Sequence, residues 1–136
     1  MADIEVRTAS HDDIDFITRL SPPGDERLAS QARLTVERAS TAGNSAILIA
    51  VNGDGRRRGY AHLYPETDDS GEEPRHYVVQ IAMAYQAERS VSSVLLEEAS
   101  AWLNKHRHRL ATIEVLTEDE SGAVIEAGTI NPPRPS

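Results

Sequence analysis

The chain has 136 residues, a formal net charge of −8 and no cysteine. That length is one ordinary domain with a modest core. With 22 acidic residues against 14 basic ones there is no strongly basic field to hold a nucleic acid. The absence of cysteine removes disulfides, thiolate metal sites and a thiol nucleophile together. The opening MADIEVRTASHDD lacks the basic-then-apolar order of a signal peptide. No apolar run approaches the roughly 20 residues of a membrane helix, so a cytoplasmic protein without membrane or nucleic-acid partners is expected.

Ile4, Val6 and Ala9 alternate roughly with Glu5 and Arg7, as in a short half-buried strand. Ser10 and Asp13 have the spacing of a capping box, and Ile14, Ile17 and Leu20 mark one face of the helix it opens. Ser21-Pro22-Pro23-Gly24-Asp25 stops that helix, and a second is expected from Glu26 to Ser40. Ala46 to Val51 is a continuous apolar run of strand length, which predicts burial on both faces. Asn52-Gly53-Asp54-Gly55 then signals a type I′ hairpin turn, with positive φ at successive positions. The return strand, Gly59 to Tyr64, sets Tyr60, His62 and Tyr64 against Ala61 and Leu63, and Pro65 ends it. Glu66 to Pro74 is a polar, acidic loop.

Tyr77 to Met83 predicts the most central strand, and Ser90 to Arg107 a helix with Val91, Leu95, Ala99, Trp102 and Leu103 on its apolar face. Lys105 to Arg109 give that helix a cationic end, which suits the negative pole of its dipole. Leu110 to Leu116 is a strand, and Glu118 to Ala127 is expected to form a last short helix ended by Gly128. The order is β-α-α-β-β-β-α-β-α, a mixed α/β fold with at least one parallel crossover. It forms a single domain over residues 1–130, and the proline-rich tail 131–136 is outside any regular element.

Two features carry chemistry: the strand Val79-Gln80-Ile81-Ala82-Met83, and the Arg89-Ser90-Val91-Ser92-Ser93 that opens the following helix. A helix start offers free N–H groups and a positive dipole end, so it suits an anion. Together with Ile113 to Glu120, these segments resemble the GNAT family of N-acetyltransferases, most closely from Tyr77 to Leu116 and coarsely from residue 4 to about 128. The resemblance implies the acyl-CoA N-acyltransferase-like fold. It also implies direct acetyl transfer from acetyl-CoA, as co-substrate, to an amine of a small molecule or peptide. Arg89, Ser90, Val91, Ser92 and Ser93 would then contact the coenzyme A phosphates, and the backbone of Ile81 and Met83 its pantetheine arm.

Three departures from the family pattern accompany that implication. Ser90 and Ser92 stand where the family has glycines, and Ala87 where it has a basic or amide residue, with Gln86 and Arg89 as substitutes. Glu126 matches the place of the tyrosine that protonates the leaving thiolate in many members. The closing hairpin of the family's sheet is expected to be missing or truncated, which would leave a sheet end open to pairing in a homodimer.

For each residue a plainer role stands beside the functional one. Ser90 is also a good N-cap, and Arg89 a partner for Glu88 or solvent. Gln80 either faces an acceptor cleft or is a half-buried amide. His76 is the histidine best placed as a base, or a surface strand end. No Asp or Glu lies within Tyr77–Met83 to serve as base. His106 and His108, at i and i+2, are expected to point in different directions, so no metal site is expected. Arg56-Arg57-Arg58 reads as a solvated sheet edge or a phosphate contact. The alternative function is a catalytically inactive domain of the same fold that binds a ligand or a protein partner.

Overall fold

The computed structural model describes residues 4–20, 46–65, 76–87 and 90–130. The expected second helix over 26–40, the acidic loop 66–74, Glu88, Arg89 and the tail 131–136 lie outside the described residues. Six strands form one sheet in chain order, β1 (Glu5–Thr8), β2 (Ala46–Val51), β3 (Arg57–Pro65), β4 (His76–Met83), β5 (Arg109–Glu118) and β6 (Val124–Ile130). All neighbours run antiparallel except β4 and β5, which are parallel. A parallel pair needs a crossover, and α2 (Ser90–Lys105) supplies it. A 3₁₀ turn (His11–Asp13) leads into the short α1 (Ile14–Arg19).

Helix α2 packs on one face of the sheet through Val91, Leu95, Ala99 and Leu103. These lie four apart and share one side of a helix. They meet Ala61, Leu63, Val79, Ile81 and Ile113. On the other face Phe16, Ile17 and Leu20 cover Ile47, Ile49, Tyr60, Ala82 and Leu116. β2 is buried on both faces from Ala46 to Ala50, as its unbroken apolar run requires.

The Ser10–Asp13 capping box forms, with Asp13 Oδ2 accepting from the Ser10 N–H at 2.7 Å. Asp13 also does more than cap. It is fully buried and accepts from Arg7 Nη1 and Nη2, at 2.6 and 2.9 Å, and from Arg57 Nε at 2.6 Å. One carboxylate therefore ties the start of α1 to β1 and β3. Burial works to raise its pKa, but Arg7, the Ser10 N–H and Arg57 together outweigh that and hold it well below the usual carboxylate range.

Several expectations are corrected. Residues 118–127 are not a helix: β5 continues to Glu118, a loop turns at Asp119–Ala123, and β6 returns antiparallel to β5. The Asp119 side chain accepts from the Ser121 and Ala123 N–H groups at 2.9 and 3.0 Å, and Gly122 takes φ +87°. Those contacts close a hairpin where Glu118-Asp119-Glu120 reads as an acidic first helical turn. Among the described residues the sheet thus ends on one closing strand, which agrees with a truncated closing hairpin, and Glu126 sits in β6 opposite Leu116 rather than on a helix. The β2–β3 turn is also not type I′. Only Gly55 has positive φ, at +80°, and its N–H donates to the Asn52 carbonyl at 2.9 Å, the geometry of a type I turn followed by a left-handed residue. Helix α2 ends at Lys105 because Arg107 adopts φ +59°.

Candidate functional site

The strand–loop–helix expected to carry the chemistry is present. β4 is buried from Tyr77 to Ala82 and lies between β3 and β5. Gly59 on β3 fixes how closely α2 approaches. A Cβ there would stand 2.7 Å from the Ala82 carbonyl oxygen and 3.1 Å from Val91 Cγ1. Only glycine lets the start of α2 and strand β3 close on the end of β4. Ser90 and Ser93 are exposed and Ser92 is half-buried at that helix start, while Val91 is core.

The loop between β4 and α2 is held by side chains from distant elements. The Tyr85 N–H donates to Glu118 Oε1 at 3.0 Å, and Arg58 Nη2 donates to the Tyr85 carbonyl at 3.2 Å. Glu118 Oε2 lies 3.5 Å from Arg19 Nε. The Ala84 N–H donates to the Arg58 carbonyl and the Ala87 N–H to the Ala84 carbonyl. Gln86 turns the chain with φ +57°, a conformation that favours glycine. Of the Arg56–Arg58 run, Arg57 and Arg58 are therefore structural ties to Asp13 and Tyr85 rather than a solvated edge.

A second constellation crosses the middle of the sheet. His62, Gln80 and Glu114 are direct neighbours in register on β3, β4 and β5. They lie on the α1 side, one row from Tyr60, Ala82 and Leu116. Gln80 Nε2 donates to Glu114 Oε2 at 3.2 Å, which turns Gln80 Oε1 away from Glu114. His62 and Gln80 are 3% and 4% exposed. Their Nε2 and Oε1 atoms have no hydrogen-bond partner among the described residues. Burial pushes the His62 pKa down to about 4, so the ring is neutral at physiological pH.

Gln80 therefore belongs to a polar group inside the fold. His76 stands exposed at the start of β4, four residues away and roughly 13 Å along the strand. Ile81 and Met83 pair with Ala61 and Gly59 on one side and Val115 and Thr117 on the other, and after a register shift at Tyr77/Val78 the β4–β5 ladder is continuous from Val78 to Met83. Their backbones thus reach a ligand only where that ladder opens. Glu114 and Glu118 lie on β5, outside the Tyr77–Met83 strand where the sequence pattern alone would place a base. The signal for Glu114 was present: a lone carboxylate inside Ile113-Glu114-Val115, on the strand that the crossover sets beside Val79-Gln80-Ile81.

His106 and His108 do not point apart. The left-handed Arg107 between them brings the two rings within 9° of parallel, with centroids 6.1 Å apart. Trp102 stacks on His106 at 4.3 Å and Tyr77 on His108 at 4.2 Å. This ring cluster closes the far end of β4 and α2. Among the described residues no three His, Asp or Glu side chains are grouped to hold a metal ion.

Coenzyme A needs N–H donors near the end of β4 and the start of α2. The Glu118 carboxylate on the Tyr85 amide is a stand-in anion at that place, and the first turn of α2 presents the free N–H groups of any helix start beside Ser90, Ser92 and Ser93. The donor set suits a phosphate in kind.

No family model and no curated protein matches the sequence. Solved structures are similar to it. A GNAT-family acetyltransferase from Streptococcus pneumoniae superposes with a TM-score of 0.57 at 17% identity, over 84% of this chain and 74% of that one. The aminoglycoside 6'-N-acetyltransferase AAC(6')-Ih from Acinetobacter baumannii gives 0.61 at 13% identity, over 80% and 78%. The aminoglycoside N-acetyltransferase AAC(6')-Iy, in complex with CoA, gives 0.61 at 15% identity, over 85% and 77%. The six strands of the described residues, with β4 and β5 parallel and bridged by α2, are thus an acyl-CoA N-acyltransferase-like sheet, and the chain has the GNAT fold.

Proposed function

We propose that this protein transfers an acetyl group from acetyl-CoA to the amine of a small molecule, with the acceptor nitrogen held on the α1 side of the sheet. The observation that carries this reading is the row His62–Gln80–Glu114 across the central strands, with two buried polar atoms that have no partner among the described residues. Such atoms cost roughly 1–3 kcal/mol each when unpaired; an N–H of a ligand would satisfy Gln80 Oε1, and a polar ligand group would satisfy His62 Nε2. The similar structures include acetyltransferases of aminoglycosides, which are small amines.

Each residue has a distinct part. Gln80 is oriented by its bond to Glu114, so its Oε1 accepts from the acceptor's N–H. His62 stays neutral and adds a second uncharged partner. Glu114, half-buried beside Gln80, takes the proton that an ammonium group must lose before its nitrogen can attack a carbonyl. Ser90, Ser92 and Ser93 with the first-turn N–H groups of α2, the Tyr85 N–H and Arg89 would hold coenzyme A, which when bound supplies the acetyl thioester. Ile81 and Met83 would line its pantetheine arm.

Calorimetric titration of coenzyme A tests the binding half, with Ser92→Glu expected to abolish the heat by setting a charge against the phosphates. Amine-dependent thiol release tests the other half: Glu114→Gln is expected to lower kcat by about 10²–10⁴-fold. Wild-type protein that shows neither coenzyme A heat nor a thermal shift contradicts the proposal. A second reading, a non-catalytic binding domain, is favoured by the continuous β4–β5 pairing from Val78 to Met83 and the occupied loop amides. Coenzyme A binding without thiol release across an amine panel would select it.

A further inference from the structure

Of the loop amides Ala84, Tyr85 and Ala87, only Tyr85 N–H is held by a side chain; the other two donate to backbone carbonyls. Its partner is a carboxylate from the end of β5, thirty-three residues away in sequence. The Glu118 side chain is 12% exposed, and its other oxygen faces Arg19, whose side chain is 58% exposed. Arg58 holds the carbonyl of the same Tyr85 peptide residue. The loop is thus latched at one residue from both β3 and β5, around a left-handed Gln86.

Resting on the reading that this loop and the start of α2 take the phosphates of coenzyme A, we infer that Glu118 sets the loop's affinity for anions by occupying the Tyr85 N–H. An incoming phosphate competes with Glu118 for the Tyr85 N–H, and the displaced carboxylate keeps Arg19 as its partner. Two consequences follow from the charge. A monoanion on the amide is a stronger acceptor than a neutral amide oxygen, so it raises the cost of displacement. It also repels any anion that approaches the start of α2. Glu118 is therefore a specificity-determining residue: only a ligand with more charge than one carboxylate, or with further contacts elsewhere, displaces it.

The test titrates inorganic pyrophosphate, and separately coenzyme A, into wild type, Glu118→Gln and Glu120→Gln, while the Tyr85 amide signal is followed by NMR. Glu120 is exposed and its substitution makes the same charge change two residues away. Glu118→Gln is expected to bind pyrophosphate about tenfold more tightly than wild type, with a shift of the Tyr85 amide, and Glu120→Gln to stay within about twofold. An equal gain in both variants, no binding of pyrophosphate by Glu118→Gln, or a Tyr85 amide that does not respond overturns the role of Glu118. If Glu118→Gln gains for pyrophosphate while coenzyme A binds no better than pyrophosphate to any variant, Glu118 keeps its role and the coenzyme A reading falls.

Discussion

On the α2 side of the sheet, Leu63, Val79, Ile81 and Ile113 meet Val91, Leu95, Ala99 and Leu103, and the layer is hydrocarbon from β2 to β5. On the α1 side the same strands present Ile47, Ile49, Tyr60 and Leu116 but also His62, Gln80 and Glu114. All three buried polar residues among those described, Asp13, His62 and Gln80, lie on this second side. Asp13 is fully satisfied by two arginines and a backbone N–H, whereas His62 and Gln80 are not. One face holds the fold together, and the other gives up stability at a row that the proposed reaction uses.

The largest effect should come from breaking the apolar face. Leu95→Ala leaves a cavity between α2 and β3–β4 and is expected to cost about 2–5 kcal/mol, read as a lower midpoint in urea. On the other face, pH is the sharper probe. The unfolded His62 takes a proton near 6.5, its folded form only at about 4. Between those values the unfolded state binds more protons, so stability falls as pH drops from 6.5 toward 4, by about 3 kcal/mol across the window, and is unaffected above it. His62→Leu should flatten that slope; an unchanged slope would show that the imidazole is not held neutral by burial.

Gly59→Ala tests the seam between the two regions. Its Cβ would press on the Ala82 carbonyl and Val91, and an expected loss of about 1–3 kcal/mol accompanies a shift of the α2 start. The hairpin turns serve neither face and should matter least. Gly55→Ala and Gly122→Ala each place a side chain at positive φ in open space, so each should cost about 1–2 kcal/mol by backbone conformation alone. Gly53→Ala, with open space and no positive φ, should change stability by less than about 0.5 kcal/mol. A larger loss at Gly53 would restore the type I′ turn.

Those turns also show what the sequence could and could not tell. Asn52-Gly53-Asp54-Gly55-Arg56 and Asp119-Glu120-Ser121-Gly122-Ala123 close in the same way. An Asx side chain accepts from the N–H groups two and four residues on, and a glycine at the fourth position is left-handed. The first was legible because the apolar β-branched run Ala46 to Val51 leads into it. The second was masked by acidic residues that resemble a helix start, although Val124-Ile125 and Thr129-Ile130 are β-branched pairs after it. The apolar runs of β2, β4 and α2 were legible because burial alone decides them. The row His62–Gln80–Glu114 was not, because it exists only in the lateral register of three strands, which no local pattern states. Likewise the i, i+2 spacing of His106 and His108 misled because one left-handed residue between them reverses the direction of the chain.

The central claim is that the α1-side row trades stability for binding of an amine. Replacing His62 and Gln80 together by leucine removes both unpartnered buried atoms while leaving hydrocarbon of similar bulk. The measurement is the urea midpoint of that double variant at pH 7, taken beside its amine-dependent release of thiol from acetyl-CoA. The account predicts a midpoint equal to or above that of the wild type together with loss of amine-dependent release. A double variant that releases thiol with amines as the wild type does would contradict it.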